Sequence, residues 1–229
     1  MKQKIRLALS LRDEPFFQGM SAESLARIES LVYHREYETR QIVFFPDDPC
    51  DYVYWVREGR LKITRVSGDG RELAFRHLLA GDILGEECLG GFARRSDYAE
   101  AMEPTVLCLM RADDFLRIAR EDPEVASAVA ERLAKRLKES EQVLAETVFN
   151  TVRSRIASGL LRLYRREYDQ EGQELRVTHQ EIANLVGSTR ETTTAVLHSL
   201  REEGILEMSN RRLTVLDPVA LEELAQNRR

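Results

Sequence analysis

Residues 177–203, VTHQEIANLVGSTRETTTAVLHSLREE, constrain the fold more than any other stretch, because they carry what two short helices crossing through a tight turn require. Ile182, Val186, Val196 and Leu200 are spaced to put apolar side chains on the facing sides of two helices, and Ala183 is small where the second helix must approach. Gly187 supplies the turn, since glycine takes a left-handed backbone without a Cβ penalty, and Ser188 or Thr189 comes next as an N-cap. On the second helix Arg190, Glu191, Thr194, Ala195 and His198 fall on the side away from Val196 and Leu200, a small and mostly polar surface of the kind that enters a major groove. Any αα-hairpin needs an apolar seam and a turn glycine, and in that reading Glu191 only closes a capping box with Ser188. The residues downstream favour DNA: Gly204 ends the helix, and residues 206–208 and 212–215 flank a Ser209-Asn210-Arg211 turn as a short β-hairpin, which makes a winged helix.

With 229 residues, 43% of them apolar, the chain can bury one large core or two ordinary ones. It has no run of about 18 apolar residues, and the basic start MKQKIRLALSLRDEPFF is interrupted at Arg12-Asp13-Glu14, too short and polar for a signal peptide. The expected compartment is the cytoplasm, with no membrane partner. Cys50, Cys88 and Cys108 are far apart with no CxxC pair, so packing is expected of them rather than a disulfide framework or a metal cassette. The net charge of −5 is unevenly spread: 22 basic and 27 acidic residues precede position 151, and 12 arginines balance 12 carboxylates after it. Net charge therefore neither supports nor refutes DNA binding, which depends on a local basic face. The C-terminal part has no lysine, and arginine suits bidentate contact with phosphate or guanine.

Residues 22–31 read as a short amphipathic helix after a Ser21 cap. Across residues 33–110 the runs QIVFF, YVYWV, RLKITRV, ELAFRHL and TVLCLM are β-branched and aromatic, separated by Pro46, Gly59, Gly68-Asp69-Gly70, Gly81-Asp82 and Gly90-Gly91, which implies a β-barrel or roll. Residues 122–163 then read as one long helix with Pro123 in its first turn. Ala126, Ala130, Leu133, Leu137, Ser140, Leu144, Thr147 and Thr151 alternate in steps of four and three, the seam of a coiled coil, with Glu131, Arg132, Lys135, Lys138 and Glu139 off it. A dimerisation helix fits this pattern, and so does a helix packed on its own barrel. Ser140 is the odd member of the seam, since a hydroxyl there needs a hydrogen-bond partner, which a small polar ligand would supply.

A β-barrel, a long helix and a winged helix containing QEIANLVGSTRETT together resemble the catabolite activator and fumarate–nitrate reduction regulator superfamily of bacterial transcription factors over nearly the whole chain. The resemblance implies an α+β architecture: an N-terminal cyclic-nucleotide-binding-type β-roll of the jelly-roll kind (residues 1–121), a dimerisation helix (122–151) and a winged helix-turn-helix DNA-binding domain (152–229). Arg190-Glu191-Thr192 looks like the catabolite activator branch, where the arginine and glutamate read base edges of a half-site containing G·C pairs. The chemistry agrees: arginine donates a fork to guanine, and a carboxylate accepts from cytosine N4. By the same resemblance Thr178, Gln180, Thr189 and Thr192 would contact phosphates. Ala195 stands where that branch carries a second base-reading arginine, so one base should be read less strictly.

Gly81-Asp82, Gly85-Glu86 and Arg95-Ser96 resemble the phosphate-binding cassette of cyclic-nucleotide domains. There the glutamate holds the ribose 2′-hydroxyl, the arginine neutralises the cyclic phosphate, and the serine helps to complete the site. A phosphodiester needs a fixed cation and a diol needs an acceptor, so the residue types fit; equally, Glu86 and Arg95 could simply pair with each other. Ser140 stands where the activator branch has an adenine-contacting threonine, and Glu141 where it uses a small hydroxyl residue from the partner subunit. The function implied is a homodimeric regulator controlled by cyclic AMP, without a metal, acting on pseudo-palindromic duplex DNA with RNA polymerase as a partner. A regulator of the same fold active without a nucleotide is the alternative. A cupin-type metalloenzyme is remote, because His34, His77, His179 and His198 are isolated.

Overall fold

A computed structural model describes residues 11–12, 14–68, 70, 72–167, 174–209 and 212–226. The chain divides into two compact units, residues 1–66 with 76–137 and residues 67–75 with 138–229.

In the first unit a 3-10 turn at Pro15–Phe17 is followed by α1 (Ala22–Glu29), whose cap is Ser21, as expected: the hydroxyl accepts from the Ser24 amide at 3.3 Å. The strands are β1 (Tyr33–Tyr37), β2 (Ile42–Phe44), β3 (Tyr52–Glu58), β4 (Leu61–Val66), β5 (Glu72–Leu78), β6 (Ile83–Leu84), β7 (Tyr98–Ala101) and β8 (Thr105–Arg111). They form two four-stranded sheets, in the orders β1-β8-β3-β6 and β2-β7-β4-β5. The β-branched and aromatic runs are thus strands, and β3 is buried along its middle because both of its faces are covered. Trp55 on β3 is fully buried between Phe17, 5.3 Å away by ring centroid, and Phe115, 5.5 Å away. Phe115 belongs to α2 (Ala112–Glu121), a helix that the sequence pattern alone does not announce.

The helix expected over residues 122–163 is two helices. The first, α3 (Pro123–Phe149), opens where Asp122 accepts the Glu124 amide at 3.0 Å, with Pro123 in the first turn, where its missing N–H costs nothing. The second is α4 (Val152–Glu167). Between them the Thr151 hydroxyl accepts the Ser154 amide at 3.2 Å, acting as a cap for α4. Arg155 Nη1 donates back to the Thr147 carbonyl at 3.1 Å, satisfying an end carbonyl of α3. Leu133, Leu137 and Leu144 of the expected seam, and Val148 beside it, stand exposed along α3 among the described residues, Leu137 by 61% and Leu144 by 65%.

In the second unit α4 is followed by β9 (Glu174–Arg176), α5 (His179–Val186), α6 (Arg190–Glu202), β10 (Leu206–Ser209), β11 (Arg212–Val215) and α7 (Pro218–Gln226). The strand order is β10-β11-β9, so the expected hairpin is present and gains a third strand. Asn210 and Arg211 of its turn lie outside the described residues, as does Asp69 of the earlier turn. Leu160, Ile182, Leu197, Leu200, Leu213 and Leu221 form the core. One detail differs from expectation: α6 buries Thr193, Leu197 and Leu200, while Val196 is only half-buried at the edge of this core.

Gly59 joins β3 to β4 at φ 84°, and a Cβ there would lie 2.5 Å from the Pro104 carbonyl oxygen. Gly59→Ala is therefore expected to lower stability by about 2–3 kcal/mol through strain and clash together. Denaturant unfolding followed by the fluorescence of Trp55, the single tryptophan, measures it.

Candidate effector site and nucleic-acid interface

The cassette expected at residues 81–96 is built around Gly85, which sits at φ 97° at the start of the 3-10 helix Glu86–Gly90. A Cβ on Gly85 would lie 2.7 Å from the Tyr52 carbonyl oxygen and 3.0 Å from Arg95 Nη1, so only glycine lets the arginine lie against this turn. The Arg95 side chain is 1% exposed. Its Nη2 donates to the Tyr52 carbonyl, its Nη1 donates to Glu87 Oε1 at 2.6 Å, and the guanidinium lies 4.4 Å from the Phe44 ring centroid. This is a fixed, desolvated cation, the group a phosphodiester needs.

Glu86 is equally buried and takes different partners from Arg95. Arg76 Nη2 lies 3.4 Å from its Oε1, and Arg136 Nη1, from α3, lies 3.0 Å from its Oε2. Burial lowers the Arg76 guanidinium below its ordinary value, and the Glu86 carboxylate opposes that shift. One turn earlier on α3, Arg132 Nη2 reaches Asp82 Oδ1 at 3.0 Å. The expected alternative, a direct Glu86–Arg95 pair, is thus replaced by two separate pairings. The other cassette residue, Ser96, is exposed. Ser140 and Glu141 are exposed on α3, Ser140 one turn beyond Arg136 on the same helix face. The cysteines are free thiols; the Cys108 thiol rests 3.4 Å from His34 Nδ1, and burial pushes it up to about 11, in keeping with packing.

In the second unit Gly187 takes φ 62° and ends α5, as the turn requires. The cap of α6 is Thr189, whose hydroxyl accepts the Thr192 amide at 3.2 Å and donates to the Thr192 hydroxyl at 3.0 Å. The helix therefore starts too late for a Ser188–Glu191 box, and the capping explanation of Glu191 is replaced: the capping box lies at Thr178 and Glu181. Arg190, Glu191, Thr192, Ala195 and His198 are exposed together on α6, with Thr194 half-buried beside them. Gln180 is exposed at the start of α5, its amide nitrogen donating to Asn184 at 2.7 Å. Two arrangements went unseen in the sequence. His179 Nδ1 is hydrogen bonded to the Thr194 hydroxyl at 2.9 Å, which ties α5 to the exposed face of α6. Arg153 of α4 donates to the Ser199 hydroxyl at 2.8 Å and pairs with Glu203, bracing the far end of α6.

Residues 34–122 match the family of cyclic nucleotide-binding domains, and residues 154–224 match the Crp-like helix-turn-helix domain. The chain is 32% identical over 215 residues to the cyclic AMP receptor protein of Thermus thermophilus, covering 94% of this chain and 98% of that one. It is 31% identical over 194 residues to the global nitrogen regulator of Synechococcus elongatus, covering 82% and 87%. Its structure resembles that of FixK2 from Bradyrhizobium japonicum with a TM-score of 0.78 at 25% identity, covering 86% of this chain and 98% of that one.

Glu86→Ala is expected to lower stability by about 2–4 kcal/mol, because it strips the counter-ion from the buried Arg76. Adding Arg76→Leu should recover part of that loss, and denaturant unfolding of the single and double variants measures both.

Proposed function

The chain belongs to the CRP/FNR family of transcription regulators, with a Crp-like helix-turn-helix for DNA and a cyclic nucleotide-binding domain, and from this we propose that it is a homodimer whose DNA binding is controlled by cyclic AMP. The observation that carries the ligand is the buried, braced guanidinium of Arg95 against Gly85. In this reading Arg95 faces the cyclic phosphate, Ser96 and the amides near it complete the anion site, Glu86 accepts from the ribose, and Ser140 and Glu141 meet the base. Regulators are what its relatives are, which replaces the metalloenzyme alternative. The second reading is a regulator of the same fold that is active without a cyclic nucleotide; among the relatives, one is named for cyclic AMP and another as a global nitrogen regulator.

Residues 1–121 would be the effector domain, 122–151 the dimerisation helix and 152–229 the DNA-binding domain. The exposed row of Leu133, Leu137, Leu144 and Val148 supports a second copy as the cover for α3, since a monomer seldom leaves such a row bare. Two-fold related reading helices suit pseudo-palindromic duplex DNA with half-sites about one helical turn apart, ~34 Å. On α6, Arg190 and Glu191 read base edges, with Thr194 and His198 beside them; Thr178, Gln180, Thr189 and Thr192 lie against phosphates. The protein works in the cytoplasm alongside RNA polymerase; no helix among the described residues is long and apolar enough to cross a membrane.

Selection of duplexes from a random pool, with and without cyclic AMP, tests the whole reading. A selected site is expected only with the nucleotide, and Arg190→Ala or Glu191→Ala should each relax one position by about 1–3 kcal/mol. Arg95→Ala should weaken cyclic AMP binding by about 3 kcal/mol in calorimetry. A site selected equally without nucleotide supports the ligand-free regulator instead.

Replacing Leu137 and Leu144 with glutamate should give monomers that bind the selected site far more weakly. Sedimentation measures the mass, and an unchanged dimer would overturn the assignment to α3.

A further inference from the structure

A cleft of about 530 Å³ in the second unit is lined from the start of α5, from α6 and from the β10–β11 hairpin. His179, Arg190, His198, Arg201 and Arg212 line it, and no carboxylate does among the described residues. The nearest acid on α5, Glu181, is held in the capping box by the Thr178 hydroxyl and amide. The His179 and His198 rings meet edge to face with centroids 6.5 Å apart. Three guanidiniums and two imidazoles therefore share one concave surface on the side of α6 that carries the exposed Arg190 and Glu191.

We propose that this cleft receives a backbone phosphate of the bound duplex and that the paired imidazoles of the cleft, His179 foremost, take up a proton as it enters, so that DNA binding by this chain is linked to pH. The proposal rests on the DNA-binding reading above. Guanidiniums stay protonated throughout, so any proton taken up here goes to an imidazole. In the free protein burial, followed by the neighbouring His198 and Arg190, lowers the His179 imidazole below its ordinary value. A phosphate reverses the sign of the local field and accepts a charge-assisted hydrogen bond from an imidazolium. The His179 value is then higher in the complex than in the free protein. Affinity therefore rises as pH falls through the higher value and levels off below the lower one.

Binding to a duplex recovered by the selection is to be measured in the full chain between about pH 8 and about pH 6.5, with proton uptake read by calorimetry in buffers of different ionisation enthalpy. The expected result is net proton uptake and tightening of up to about tenfold per pH unit for each proton taken up. In His179→Gln with His198→Gln both effects should vanish while the thermal unfolding of the free protein stays cooperative. A second variant, His179→Arg with His198→Lys, carries permanent cations and should bind tightly across the range without proton uptake. Specific binding that is independent of pH, or equally dependent on it in the glutamine variant, overturns the proton linkage and leaves the DNA-binding reading standing. Absence of specific binding at every pH overturns both. An equal response to inorganic phosphate, at the duplex's own phosphate concentration, would reassign the cleft to a small anion and overturn the proposal.

Discussion

The buried carboxylate of Glu86 sets the terms for much of the first unit. An ion taken out of water costs several kcal/mol unless a partner of good geometry stands beside it. Here the partners come from two directions, Arg76 from β5 and Arg136 from α3. Arg132 repeats the device one turn earlier on α3 by pairing with Asp82. The start of α3 is thus fixed on the roll by charge as well as by the buried Val125. Any ligand hydroxyl that turns to Glu86 must share it with an arginine of that helix. The candidate effector site and the helix that leaves the roll consequently form one electrostatic unit.

Arg95 presents the complementary case. Its guanidinium is held by a backbone carbonyl, by Glu87 and by the face of Phe44, so its position does not depend on a ligand. An anion arriving there meets a preorganised donor, and only the half-buried Glu87 need give way. The same logic runs through the helix-turn-helix. Thr189 and Thr178 spend their hydroxyls on helix caps, and Glu181 is consumed in a capping box. Glu191 takes no part in these caps and is exposed on α6.

Much of this was legible in the sequence wherever the deciding interactions span a few residues. Ser21, Gly187 and Pro123 do what their types dictate, because a cap, a left-handed turn and a helix start are settled within about one turn of chain. Strand runs bounded by glycine and proline were equally plain, and the cassette residues stood at recognisable positions. The two-residue β6 and the three-residue β9 were too short to carry any period. The break at Asn150-Thr151 was hidden from the helix pattern because no glycine or proline marks it, while the Thr151 cap that begins α4 is a single hydroxyl.

Tertiary structure alone decided the rest. Leu197, rather than Val196, faces the core because α6 is rotated by what packs against it, and a periodic helix offers both choices. The pairs Arg76–Glu86, Arg132–Asp82 and Arg136–Glu86 join residues separated by 10 to 50 positions, and the His179–Thr194 bond crosses a turn. The sequence by itself determined which charges and caps were present, since these are properties of residue types and short spacings. Which charge meets which depends on how strands and helices are brought together, because a Coulombic partner is chosen by distance in space, and chain order does not set that distance.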